Sequence, residues 1–472
     1  MNNLPIELLE QICTTLCPHC THIDRNDRTS CCRALASLSC TNQLLRAIAQ
    51  PILFHRLKLS RRSSCAFLCM LYERPHLASK VKQLSPLWQQ LFFDGSDEDH
   101  QILERAAREL LLDIDGNTGF DELYGDNPPK HFLTELMIAL LPNLESFVAE
   151  IEYSIPDEDL ATFYRFLDSR FKRLEPQNGG ISGLPNIRAL GFTKEGSWGF
   201  SLATPGIAVL LNAAPNLERL VFDGTHGVGG VYREWVENMD LMASGLRNLR
   251  VLSITNSVLG NNEEDFEFGQ LRRIVQLCTR LEVFRFNSIG LFPNELDDGH
   301  LPPGRFVEAL DSVKETLTGL DIDIGESCPP EPADDWMLTS QSMTSFERLE
   351  SLRLDELSFC LHWVDVVTDR SPRSSTTCLT DILPETVRFL TVRLVHEGQA
   401  WNDLCHLAHL ADKEFPRLES VIVEQNETWG GRTMKHAVRE AFEQSRARLS
   451  FVDRGYYYGE ETQFDDVYDY DR

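Results

Sequence analysis

Two cysteines near the start of the chain, Cys17 and Cys20, have the spacing with which a pair of thiolates binds one zinc ion. His22, Cys31 and Cys32 follow shortly afterwards and are the other candidate ligands. Cys31 and Cys32 are adjacent, so they cannot easily direct both thiolates at one metal ion. The sequence therefore favours free thiols over a zinc site, and we predict that the chain binds no metal.

A second candidate for metal chemistry is the acidic stretch at residues 113–121. Its Asp and Asn side chains supply oxygens at positions 1, 3, 5 and 9 of a calcium-binding loop. Thr118 stands where that loop needs glycine, and Tyr124 stands where it needs a bidentate glutamate. We interpret the stretch as an acidic surface insertion. The glycine pairs at 179–180 and 229–230 lack the frame of a phosphate-binding loop, so we predict no cofactor.

Composition and charge limit the classes of protein to consider. The chain has 472 residues, of which 42% are hydrophobic, enough to bury a sizeable core, and it has no apolar run long enough to span a membrane. Its net charge of -27 argues against general binding to nucleic acid or anionic membranes. A secretory signal is not evident at the start, and the 13 cysteines are an odd number. We therefore expect reduced thiols and a cytoplasmic or nuclear location, or both.

The elements that must position the early cysteines are three short helices within residues 4–59. In the first, Leu8, Ile12 and Leu16 recur every four residues and form one apolar stripe. The polar residues 21–30 that follow predict a loop.

Beyond this loop, Leu35 and Leu38 mark a second helix. A third is predicted from an N-cap at Thr41 as far as Pro51, where we expect it to stop. Helices this short cannot bury all of their apolar faces, so a partner or the following domain has to cover the rest.

The order of residues in these helices resembles the F-box of fungal proteins. The resemblance rests on Leu4-Pro5-x-Glu7-x-Leu9-x-x-Ile12 and on segment 34–54, with its Ala-Gln-Pro-Ile-Leu-Phe ending. It implies docking to a Skp-type adaptor within a cullin-based ubiquitin ligase. An unrelated helical cap is the alternative. The predicted adaptor-binding residues are Leu4, Pro5, Leu8, Ile12, Leu16, Leu35, Leu38, Leu45 and Pro51.

A strand-like pattern, L-x-x-L-x-[LIVF], recurs ten times in the rest of the chain, with helical stretches between the copies. Alternating strand and helix at a regular interval resembles the leucine-rich repeats, although these repeats are longer and mostly lack the usual Asn after the strand. A globular α/β domain with coincidental spacing is the alternative. The copies begin at Leu144, Ile187, Leu217, Leu249, Leu281, Leu317, Leu349, Val387, Leu418 and Leu449.

The outward positions of the middle repeats are the predicted target-binding surface. Because strand residues alternate between faces, the leucines point into the core and the residues between them point outward. We expect the two arginines there to be held by neighbouring aspartates, so that truncating them hardly changes stability. The surface contains no Ser-His-Asp or Cys-His ordering, so we expect no catalysis. Its residues are Arg285, Asn287, Asp321, Asp323, Arg353 and Asp355.

The sequence as a whole predicts an α/β chain, in which a three-helix F-box-like module precedes an irregular leucine-rich-repeat solenoid with a parallel concave sheet and convex helices. The resemblance implies a substrate-recognition subunit of an SCF-type ligase, whose protein target is not named by any motif. A ubiquitin-independent repeat scaffold is the alternative function. The predicted segments are a docking module at 1–60, a helical, acidic linker at 61–135, the solenoid at 136–454 and an acidic, aromatic tail at 455–472.

Overall fold

The computed structural model describes residues 4–21, 25–58, 64–85, 96–109, 136–151, 184–194, 200–202, 204–225, 232–257, 266–288, 301–324, 338, 343–360, 379–394, 399–426 and 432–454. These residues fall into two compact units. The first lies within Met1–Ser197 and Pro205–Leu217, and the second within Trp198–Thr204 and Glu218–Glu460. In this described part of the chain, no helix combines the length and the apolar character needed to cross a membrane.

The first unit opens with three helices and continues as a parallel sheet in which each strand pairs with the next in the chain. Two of its strands precede residue 136, where the sequence predicts the repeats to begin. Its helices are α1 (Ile6–Thr15), α2 (Arg25–Ser39), α3 (Gln43–Leu53), α4 (Ser64–Glu73), α5 (Pro75–Ala78), α6 (Asp97–Glu109) and α7 (Pro205–Ala213). Its strands are β1 (Arg56–Lys58), β2 (Gln83–Ser85), β3 (Ser146–Ile151) and β4 (Ala189–Lys194).

The second unit repeats the same plan with eight parallel strands in chain order, and this sheet does not close on itself. The strands are β5 (Arg219–Asp223), β6 (Val251–Ser257), β7 (Val283–Ser288), β8 (Gly319–Asp323), β9 (Ser351–Asp355), β10 (Phe389–Leu394), β11 (Ser420–Asn426) and β12 (Arg448–Arg454). The helices are α8 (Tyr232–Leu246), α9 (Phe266–Leu277), α10 (Pro303–Ala309), α11 (Leu379–Ile382), α12 (Gln399–Glu414) and α13 (Arg432–Phe442), with 3₁₀ turns at Leu310–Val313 and Glu356–Ser358. The predicted α/β class with parallel strands is therefore confirmed.

Every predicted strand is present, and most begin two residues after the first apolar position of the motif. That first residue lies in the preceding turn, where Leu249 and Leu281, for example, are fully buried. The alternating residues of the strands fill the core, as Phe286 shows by packing its ring 4.2 Å from the ring of Phe306 on α10. The pattern thus marks the turn as well as the strand.

The last repeat has a different register from the one the sequence predicts. The motif placed Leu449 at the first apolar position, but Leu449 pairs with Val421, which occupies the fourth position of the preceding repeat. Val452, predicted to point inward, is 45% exposed. The prediction was wrong here by three residues, because this copy is degenerate and its first position is not apolar.

The helices of the first unit also differ in part from the prediction. Most of the predicted loop at 21–30 belongs to α2, which starts at Arg25 and has Asp27 in its first turn, where a carboxylate favours the helix N-terminus. The N-cap of α3 is Asn42, not Thr41, and its side chain accepts a hydrogen bond from Leu45 N at 2.8 Å. Pro51 lies inside the last turn and does not end the helix.

Asparagine and threonine side chains connect successive turns. Asn143, Asn186 and Asn216 each follow a proline, and each amide donates to a backbone carbonyl of the previous turn at 2.8, 3.1 and 2.9 Å. Thr316 and Thr386 make the same kind of bond at 2.7 and 2.8 Å. These bonds satisfy carbonyl groups that the sheet leaves unpaired.

A row of mostly charged residues, here called the turn row, occupies the position immediately before each strand from β1 to β11. In the second unit it reads Glu218, Arg250, Glu282, Thr318, Glu350, Arg388 and Glu419, and in the first unit it reads His55, Lys82, Glu145 and Arg188. Neighbours of opposite charge form ion pairs, such as Arg250 with Glu282 at 2.6 Å and Arg388 with Glu419 at 2.7 Å. From Lys82 onward the sign therefore alternates within each unit, with the neutral Thr318 in the place of one positive residue.

Candidate functional site

The three helices α1, α2 and α3 share a small apolar core. Leu35 is 0% exposed and Leu45 is also buried, so neither can contact a partner while the module is folded. Leu16 and Leu38 are half-buried and pack against this core, and Pro51 is half-buried in the last turn of α3. The buried members are Leu9, Cys13, Cys17, Leu35, Leu45, Ile48, Ala49 and Ile52.

The opposite face of α1 is an exposed apolar stripe. Leu8 is 45% exposed and Ile12 is 43% exposed, one turn apart, and Leu4 and Pro5 are exposed just before the helix. Of the eight large hydrophobic residues exposed in the described part of the chain, five lie within the first 44 residues. We name these five the docking stripe: Leu4, Ile6, Leu8, Ile12 and Leu44.

The register of the second sheet brings the predicted target-binding residues side by side. Arg285 pairs with Asp321, and Asp321 pairs with Arg353, along one row of outward positions. Two residues further along these strands, Asn287 pairs with Asp323, and the Asn287 amide donates to that carboxylate at 3.2 Å.

Arg353 on β9 is the centre of an ion-pair network. Its guanidinium donates to Asp321 at 3.1 Å and to Glu424 at 2.8 Å, and it lies 3.6 Å from Asp323. Arg393 holds the other oxygen of Asp323 at 2.5 Å. Burial alone would lower the pKa of Arg353, but the three carboxylates raise it. The guanidinium is therefore permanently charged, and each of its two terminal nitrogens is paired with a carboxylate.

Asp355 and Asp323 point inward and are not available to a target. Asp355 is 0% exposed. Its carboxylate accepts hydrogen bonds from Ile324 N, from Ser358 N at 2.9 Å and from Ser358 Oγ at 2.8 Å, and so caps the 3₁₀ turn after β9. Burial, with the nearby charge of Asp323, raises the pKa of Asp355 to about 7. The exposed part of the predicted surface is thus reduced to the half-buried Arg285, Asn287, Asp321 and Arg353.

The buried carboxyl of Asp355 should make stability depend on pH. Its pKa is higher in the folded state than in the unfolded chain, so the folded state binds the extra proton between about pH 4 and pH 7. The stabilisation from this proton is complete below pH 4 and is lost as the pH rises through 7. In Asp355→Asn, which cannot ionise, we expect this loss to disappear, so that the variant gains about 2–4 kcal/mol relative to wild type between pH 4 and pH 8.

Urea unfolding of both proteins across this range measures the difference. Asp321, whose pKa burial also raises, contributes the same slope to both proteins and cancels. Parallel pH profiles would contradict the assignment to Asp355.

Cys17, His19, Cys20 and His55 converge in the first unit and are named here the Cys/His cluster. Cys17 Sγ and Cys20 Sγ lie 3.6 and 3.3 Å from His55 Nδ1, and Cys20 Sγ lies 3.6 Å from His19 Nδ1. All four donor atoms lie within 4.8 Å of one another. The two cysteines lie in the turn after α1, and His55 lies between α3 and β1.

The other zinc ligands that the sequence suggests for these cysteines are not the residues found here. Neither Cys31 nor Cys32, both on α2, belongs to the cluster, and His22 lies outside the described residues. His19, which lies between the two cysteines, is not among the ligands predicted from the sequence. No spacing rule marks His55, which is 35 residues from Cys20 and reaches it only through the packing of α1 against α3.

The imidazoles of the cluster are neutral near pH 7. Burial, with His19 and Lys82 nearby, lowers the pKa of His55 to about 4, and burial also lowers the pKa of His19. Burial and the neighbouring sulfur of Cys17 raise the pKa of Cys20 to about 12. Neutral imidazoles are able to coordinate a metal ion without losing a proton, whereas the thiol would release its proton on binding.

A second group of donors, Cys65, Cys69 and Asp99, is smaller and occupied. Asp99 Oδ2 accepts hydrogen bonds from Ser96 N at 2.9 Å and from Ser96 Oγ at 2.8 Å, at the start of α6. The carboxylate is thus used as a cap, and Cys69 Sγ donates to the backbone oxygen of Asp99 at 3.7 Å.

The other sequence candidates lie outside the described residues. These are the acidic stretch at 113–121 with Tyr124, the glycine pairs at 179–180 and 229–230, and the tail from residue 455. No protein-family model and no curated protein sequence matches this chain.

Proposed function

We propose that the chain is a substrate-recognition subunit of a cullin-based ubiquitin ligase, with a Skp-type adaptor bound at its N-terminus and a protein target bound by its repeats. The observation that carries the proposal is the docking stripe. A module with its own closed core has no folding reason to keep five large apolar side chains in water at one end of the chain.

The separation of core and surface on α1 supports this role. Leu9 and Cys13 pack inward while Leu8 and Ile12 point outward, so the helix has one face for folding and another for a partner. The resemblance of these residues to an F-box gives the partner its class, a Skp-type adaptor.

The sheet of the second unit supports the target-binding half of the proposal. Its outward row mixes both signs of charge within a strongly acidic chain, and Arg285 and Asp321 keep part of their surface in water. A protein target with charges of both signs would fit such a row. In this role the chain catalyses no bond-forming step and works by raising the local concentration of a target beside the ubiquitin-charged enzyme.

Binding of a purified Skp-type adaptor to the full chain tests the proposal. Wild type should bind, and Leu8→Asp with Ile12→Asp should bind about 100-fold more weakly, because a charge in an apolar interface remains desolvated and unpaired. Leu241→Asp on α8 is the matched control, since Leu241 is equally exposed but belongs to the second unit. The control should bind like wild type.

Two results would overturn this function. If wild type does not bind the adaptor, the alternative of a ubiquitin-independent scaffold takes its place. If the stripe variant binds as tightly as the Leu241→Asp control, the docking surface lies elsewhere.

A further inference from the structure

The Cys/His cluster has the separations of a tetrahedral metal site. Zinc binds thiolate sulfur at about 2.3 Å and imidazole nitrogen at about 2.0–2.1 Å, so tetrahedral ligands place sulfur and nitrogen about 3.6 Å apart. The three sulfur–nitrogen distances in the cluster are 3.6, 3.6 and 3.3 Å. We propose that Cys17, His19, Cys20 and His55 bind one structural zinc ion.

Hydrogen bonds among these side chains account less well for the arrangement. His55 Nδ1 faces the sulfurs of both Cys17 and Cys20, and Cys20 Sγ faces the nitrogens of both His55 and His19. A ring nitrogen has a single proton or a single lone pair, so it cannot form good hydrogen bonds with two thiols at once. One cation at the centre of the four donors satisfies all of them together.

The groups behind the cluster are those that a zinc-bound histidine requires. His19 turns Nδ1 towards Cys20, and its other nitrogen, Nε2, lies 3.4 Å from Glu145 Oε2. Lys82 holds the second oxygen of Glu145 at 2.9 Å. A carboxylate on the far nitrogen fixes the tautomer and the orientation of a ligating imidazole. The cluster therefore has an outer layer of support as well as four donors.

The location indicates a structural role. Two thiolates and two imidazoles complete a tetrahedral shell and leave no position open for a substrate, which is the pattern of structural zinc sites. The ion would join the turn after α1 to the start of β1 and, through Glu145 and Lys82, to the turns before β3 and β2. It would thus fasten the three helices that carry the docking stripe to the sheet that follows.

A cleft of about 420 Å³ gives the site a route to solvent, because His55 and Glu145 both contribute to its wall. Metal exchange and chelation are therefore measurable without unfolding the protein.

Elemental analysis of the full chain, purified with reductant, tests the proposal. We expect about one zinc ion per chain in wild type and nearly none in Cys17→Ser with Cys20→Ser. Cys31→Ser with Cys32→Ser is the matched control, because it removes the same number of thiols from the same module but leaves the cluster intact. The control should keep its zinc.

Cys17 is fully buried, so the cluster variant could lose metal by unfolding, and two further measurements avoid this difficulty. Chelated wild type titrated with Co²⁺ should show thiolate charge transfer and the strong visible absorption of a tetrahedral ion. Glu145→Gln should keep the four ligands but weaken zinc affinity about 10–100-fold. Metal-free wild type with freely reactive Cys17 and Cys20, a disulfide between them, or octahedral cobalt would each overturn the proposal.

Discussion

Replacing Arg353 with alanine is expected to lower the free energy of unfolding by about 2–4 kcal/mol. Its side chain is only 21% exposed and contacts Asp321, Asp323 and Glu424. Without it, three carboxylates lie close together, although Arg393 stays paired with Asp323. Breaking a largely buried ion pair by removing one partner costs far more than losing a surface pair. The sequence-based expectation of almost no change rested on the assumption that these pairs are exposed.

Urea unfolding at neutral pH measures this effect. Arg388→Ala is the matched control, because Arg388 is also paired with carboxylates, those of Glu350 and Glu419, but lies in an exposed part of the turn row. The control should lose much less stability, and adding Asp321→Asn to Arg353→Ala should restore part of the loss. Equal losses in the two arginine variants would show that burial does not distinguish the sites.

Because a change at Arg353 is expected to destabilise the fold, it is unsuitable for testing target binding, for which Arg285→Ala is the better variant.

Leu35→Ala is expected to destabilise the first unit by about 2–5 kcal/mol. Leu35 is fully buried among Leu9, Leu45 and Ile48, so removing most of its side chain leaves a cavity that a three-helix core can close only in part. Leu8→Ala removes the same atoms from an exposed position and should change stability by less than about 0.5 kcal/mol.

Thermal unfolding of the two leucine variants compares their losses of stability. A binding assay with the adaptor compares their losses of affinity, for which we expect the reverse order at the docking surface. Leu8→Ala should weaken adaptor binding while leaving the fold intact, and Leu35→Ala should act through folding. The opposite ranking, with Leu8 the more important for stability, would mean that the stripe is part of an internal interface and would remove the basis for the docking proposal.

These two leucines show how far periodicity alone predicts a site. The first helix carries two apolar faces at helical spacing, Leu8 with Ile12 and Leu9 with Cys13, and either could be the core. The buried face is the one with cysteines, which behave as small apolar residues in a core. The sequence predicted the existence of the helix and of an exposed stripe, but it also assigned the buried Leu35 and Leu45 to the docking surface.

The repeats were predictable because the same apolar pattern returns ten times, and this pattern predicted the strands and most of their registers. The functions of individual polar residues were not predictable in this way. Asp355 looks like an outward residue by alternation, yet the chain turns immediately after β9 and uses the carboxylate as a cap. The Cys/His cluster depends on two residues that packing and strand register bring to it: His55, which lies against Cys17 and Cys20, and Glu145, which lies against His19.

The turn row also limits how the second sheet can change its length during evolution. Duplicating one repeat would set two residues of the same sign side by side, as two copies of Arg250 or of Glu282, and adjacent like charges destabilise neighbouring strands. Duplicating a pair of repeats preserves opposite neighbours, so growth in twos is favoured over growth in ones. The neutral Thr318 stands between Glu282 and Glu350, in the place of the positive residue that the alternation predicts. Duplicating this one repeat would set two neutral threonines side by side, so it marks the place where a single repeat can be gained with the least electrostatic penalty.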